Sequence, residues 1–119
     1  MDIKFSLEAF RQAAYDCEKA EYEYLQAETD ADLIKKQGEN YLAVLKQTIL
    51  AGLEQKVSES RLEREARCTE SWKVYFKGYE EACRKAATLK AQYKAAERRW
   101  ETLRSGLSFR REELKRIGD

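Results

Sequence analysis

The chain has 119 residues, of which 38% are charged, with a formal net charge of +1 and neither proline nor histidine. One domain is expected from the length, and charges interspersed with apolar residues describe solvated helix faces rather than disorder. Without histidine the commonest general base and metal ligand are missing, no apolar run approaches a membrane span, and five scattered glycines form no phosphate loop.

The first residues, Met1-Asp2-Ile3-Lys4-Phe5, lack the basic and apolar regions of a secretory signal, so a cytoplasmic protein is expected. Ser6 is the expected N-cap of the first helix, with Glu8 in its first turn. From Phe10 an apolar heptad seam runs through Ala13, Cys17, Ala20, Tyr24, Ala27, Ala31 and Ile34. At Gly38 the pattern reads as slipping, and apolar spacing resumes at Leu42, Leu45, Ile49, Leu53 and Val57. Gly38-Glu39-Asn40 is therefore an expected kink or short break, and Gly52 a weaker one. The arm spans about 6–57.

A chain reversal is expected at about 57–60, with Ser60 and Glu63 spaced as a capping box for the next helix. That helix is predicted over about 60–117. Its heptad positions are Trp72, Tyr79, Ala86, Tyr93, Trp100, Leu107 and Leu114, with a second seam at Tyr75, Ala82, Leu89, Ala96, Leu103, Arg110 and Ile117. Sustained heptads mean a long helix buried along one stripe. Ser105-Gly106 is a possible break, Gly118 suits the C-terminal cap, and Lys115 and Arg116 complement the dipole in the last turn.

The first seam is rich in alanine and the second in tryptophan and tyrosine. Large side chains set against small ones fill an antiparallel pair at native density. Trp100 is then expected near Ala13 to Cys17, and Trp72 near Tyr41 to Leu45. The fold class is all-α: a long antiparallel helical hairpin, coiled-coil-like, in one domain (1–119) with a kinked first arm, forming a homo-oligomer.

Residues 1–69 carry 10 basic and 14 acidic side chains, and residues 70–119 carry 13 and 8. The basic second half suits a polyanion. Lys77, Arg84, Lys85, Lys94, Arg98 and Arg99 fall outside the seam and are candidate nucleic-acid contacts; the bland alternative is that they solubilise the helix and pair with the acidic arm. Trp72, Tyr79, Tyr93 and Trp100 lie in the seam, where packing explains them better than base stacking. Phe76, beside the seam, is a candidate partner contact, and Tyr15 and Tyr22 lie off the first seam. Arg110 occupies a core position, and a buried unpaired arginine is costly. The seam is therefore expected to open there, presenting Phe109 to a partner and Arg110 and Arg111 to nucleic acid; the alternative is the ordinary fraying of a helix end.

No catalytic residue, metal site or cofactor is expected. Cys17, Cys68 and Cys83 have no metal or redox spacing, and adjacent acids such as Glu80-Glu81 and Glu112-Glu113 point about 100° apart on a helix. The chain is not expected to be an enzyme.

The segment Trp100-Glu101-Thr102-Leu103-Arg104-Ser105-Gly106-Leu107-Ser108, with Ala31-Asp32-Leu33-Ile34-Lys35-Lys36 and Ser60-Arg61-Leu62-Glu63-Arg64-Glu65-Ala66-Arg67, resembles small helical proteins of bacteriophage replication and recombination modules. The layout is similar to T4-type recombination mediators. The resemblance implies an oligomeric accessory protein that handles single-stranded DNA or loads a recombinase. Its expected partners are a second copy, single-stranded DNA, and a recombinase or host DNA-processing enzyme, with no membrane. The alternative is a protein-binding helical hairpin, such as a secretion-system stalk or chaperone, or a phage inhibitor of a host enzyme.

Overall fold

A computed structural model describes residues 3–53 and 55–118. They form three helices, α1 (Ile3–Ala51), α2 (Glu59–Arg67) and α3 (Glu70–Gly118), with no strand among the described residues. The fold is an all-α helical hairpin. No helix is long and apolar enough to cross a membrane. Internal contacts gather into two units, Met1–Gln26 with Ala87–Asp119, and Ala27–Ala86.

In the first unit α1 and α3 run antiparallel: Phe10 stacks on Trp100 with ring centroids 6.1 Å apart, and Tyr24 on Tyr93 at 6.0 Å. Ala13, only 1% exposed, is the small residue that lets the helices approach. Trp100 and Cys17 line the same groove, as the seam pairing requires.

In the second unit the antiparallel pairing continues through Tyr41 and Trp72, stacked at 6.5 Å. Tyr75 joins them, 5.7 Å from Tyr41 and 5.0 Å from Trp72. Buried Ala27 and Ala31 from α1 and Leu62 and Ala66 from α2 complete the core. Lys46 of α1 reaches Glu59 of α2 at 2.7 Å. Across the described residues no large side chain is fully buried, because two facing helices cover a seam but leave its flanks open to water.

Four boundaries differ from expectation. The α1 helix starts at Ile3, so Ser6 lies inside it. It passes Gly38 uninterrupted, so the expected kink is absent, but the shifted spacing beyond it holds: Leu42, Leu45 and Ile49 are half-buried, whereas Thr48, which the unshifted phase would bury, is exposed. The break comes at Gly52, beyond which the chain leaves the helix. Ser58, not Ser60, caps α2, its hydroxyl accepting from the Arg61 amide at 3.2 Å.

The long second helix is also divided, at Cys68-Thr69. The Thr69 hydroxyl donates to the Ala66 carbonyl at 2.7 Å and accepts from the Trp72 amide at 3.2 Å. One side chain thus closes α2 and opens α3. Beyond it, α3 is unbroken through Ser105-Gly106 and includes Gly118.

Candidate nucleic-acid interface

On α3 the seam fixes which side chains face out. Lys77, Arg84, Lys85, Lys94, Arg98 and Arg99 are all exposed. They fall into two groups. Lys77, Arg84 and Lys85 belong to the second unit, and Lys94, Arg98 and Arg99 to the first. Arg84 lies 3.9 Å from Glu80, and Lys94 lies 3.8 Å from Glu97 and 5.5 Å from the Tyr93 ring centroid. Lys77, Lys85, Arg98 and Arg99 have no carboxylate within 4 Å among the described residues.

The first unit separates its charge by helix. Residues 1–26 carry three basic and six acidic side chains, while residues 87–119 carry nine and five. Arg110 is half-buried at its core position, whereas Arg111 is exposed and Phe109 is 67% exposed. Arg111 does not join Arg98: thirteen residues at about 100° each place it on the opposite flank, beside Trp100. It lines a groove of 190 Å³ with Phe10, Arg104, Leu107 and Ser108. Phe76, 44% exposed, packs against Trp72 at 6.5 Å and Tyr79 at 6.2 Å, so only one side is available to a partner.

A second groove in the first unit has the opposite character. Cys17, Glu18, Glu21, Glu97, Glu101 and Trp100 are among the residues around its 280 Å³. Burial, reinforced by those four carboxylates, pushes the Cys17 thiol above its usual range. The Glu97 carboxylate, an acceptor for the neutral phenol, together with burial and the Glu21 charge pushes Tyr93 up to about 12. In the second unit, burial likewise raises Tyr75. No cluster of three or more metal-ligating side chains is present among the described residues.

The Arg104 groove and the carboxylates around Cys17 were not singled out from the sequence. Arg104, Ser108 and Arg111 do share a helix flank by their spacing of four and three residues, and this is a signal a heptad reading passes over. Compared with protein-family models, curated proteins and solved structures, the chain has no match in any of the three.

Proposed function

We propose that the chain is a nonenzymatic accessory protein of phage-type DNA recombination or replication, acting in the host cytoplasm and binding single-stranded DNA, alone or with a recombinase. The observation that carries this reading is the set of outward cations, Lys77, Lys85, Arg98 and Arg99, that have no carboxylate within 4 Å among the described residues, on a helix whose opposite face is occupied by packing. Such cations attract phosphates without reading sequence, and binding releases counterions. The seam aromatics of α3, Trp72, Tyr79, Tyr93 and Trp100, serve packing in this reading, so the outward cations bind through contacts to the phosphate backbone. Self-association is part of the proposal, because the half-buried aromatic flanks gain from further cover.

Binding of labelled single-stranded DNA across a salt series tests it. Affinity should fall steeply as salt rises; absence of binding at low salt, or affinity indifferent to salt, overturns it.

A second reading is supported by the apolar groove of 340 Å³ bordered by Tyr41, Val44 and Tyr75, and by the exposure of Tyr15 and Tyr22 at 61% and 70%. A helical hairpin that binds a protein would use such surfaces. Under that reading, reversing charge at Arg98 and Arg99 leaves function intact; under the first it abolishes it.

A further inference from the structure

The groove at the far end of the first unit combines features that the outward cations lack. Phe10 and Leu107 give it apolar walls, Ser108 an exposed hydroxyl, and Arg104 and Arg111 two exposed guanidiniums. Neither arginine has a carboxylate within 4 Å among the described residues. Arg104 instead lies 5.3 Å from the Trp100 ring centroid, and Trp100 stacks on Phe10. A guanidinium held against an aromatic face keeps its planar fork of donors with less freedom to lose on binding.

From this arrangement we infer that the Phe10–Arg104–Arg111 groove is a site for one nucleotide unit, its phosphate held by the two arginines and its flat ring laid on Phe10 and Leu107. Arginine forks match phosphate oxygens in pairs, and the Ser108 hydroxyl supplies another donor. A volume of 190 Å³ equals about six waters, enough for a phosphate and part of a ring while the rest stays in solvent. The carboxylates at Glu18, Glu21, Glu97 and Glu101 line the other groove of this unit and repel a polyanion. Trp100 borders that acidic groove and stacks on a wall of the basic one, so phosphate is accepted on one side of it and refused on the other.

The inference rests on the nucleic-acid reading but has its own readout. In a Trp72→Phe background Trp100 is the remaining tryptophan, and a phosphate bound to Arg104, 5.3 Å from its ring centroid, changes the charge around the ring. Trp100 emission is therefore followed while a nucleoside monophosphate, inorganic phosphate and a short single-stranded oligonucleotide are added in turn. The oligonucleotide is also followed by anisotropy, and helicity is checked by circular dichroism. The expected result is a response to the mononucleotide and the oligonucleotide, weaker with inorganic phosphate. Arg104→Ala with Arg111→Ala should remove it and weaken oligonucleotide binding about tenfold at unchanged helicity. Oligonucleotide binding that leaves Trp100 silent and ignores both substitutions overturns the groove but not the wider reading. A mononucleotide response without oligonucleotide binding keeps the groove and overturns the wider reading, and silence toward all three probes overturns the groove.

Discussion

Gly38 is the residue that makes room for Tyr75. The Tyr75 hydroxyl donates to the Ile34 carbonyl at 2.5 Å, one turn before Gly38, and a Cβ on Gly38 would overlap the Tyr75 hydroxyl and ring. The glycine therefore acts as a notch in a continuous helix.

Two effects of opposite sign compete in Gly38→Ala. Helix propensity favours alanine by about 1 kcal/mol, while overpacking a fitted contact costs about 1–3 kcal/mol. The ring of Tyr75 is held between Tyr41 and Trp72, so it cannot swing aside cheaply. The expected net effect is a loss of about 1 kcal/mol in denaturant unfolding. At Gly78, where nothing lies within 4 Å of an added Cβ, the same substitution should stabilise by propensity alone. Stabilisation at both positions would refute the notch.

Thr69 serves two helices, so its removal should cost more than its size suggests. Loss of a threonine N-cap costs about 1 kcal/mol, and Thr69→Ala also ends the bond to Ala66 that closes α2. Thr69→Ser keeps both bonds and should retain stability within a few tenths of a kcal/mol of the parent chain. Equal melting of the alanine and serine variants would show that the hydroxyl contributes nothing.

The helical class, the pairing of Trp72 with Tyr41 and the place of Trp100 beside Cys17 were all legible, because heptad spacing and side-chain size decide them. Gly38 misled because a glycine in a seam has two causes, a break or a close approach, and only the facing residue tells them apart. Thr69 hid because the stretch from Ser58 to Lys77 carries no glycine or proline to mark a break. The outward position of Lys77, Arg84 and Lys85 followed from the seam. The separation of Arg111 from Arg98 followed from the same geometry, but only once each residue was placed around the helix. The carboxylates around Cys17 come from two segments far apart in sequence, so no local pattern could bring them together.

Tyr93 links pH to the first unit. Its phenol titrates at about 12 in the folded chain against 10.0 as the ordinary value. A raised pKa on an acid favours the neutral form, so the contribution is full below pH 10 and is lost as pH rises toward 12. Phenolate absorbance of the native chain should show a late step that Tyr93→Phe diminishes by one tyrosine's worth, Tyr75 and Tyr79, whose phenols are also raised, remaining. Glu97→Gln, which removes the negative charge that a phenolate would face, should bring the step down toward the ordinary range. A late step undiminished by Tyr93→Phe would assign it to other tyrosines.

The outward cations should not contribute equally to the salt dependence of DNA binding. Each phosphate contact on a single strand adds about 0.7 to the slope of log affinity against log salt. Arg98→Ala with Arg99→Ala should therefore flatten the slope by about 1.4, since both side chains are exposed and have no carboxylate within 4 Å among the described residues. Arg84 and Lys94 differ, because Glu80 and Glu97 stand 3.9 and 3.8 Å away. Exposed pairs of this length are worth little and open readily, but the carboxylate stays behind and repels the arriving phosphate. Substituting Arg84 or Lys94 should change the slope by less per residue than substituting Arg98 or Arg99. If all four flatten it equally, each contacts phosphate alike and the neighbouring carboxylates are without effect.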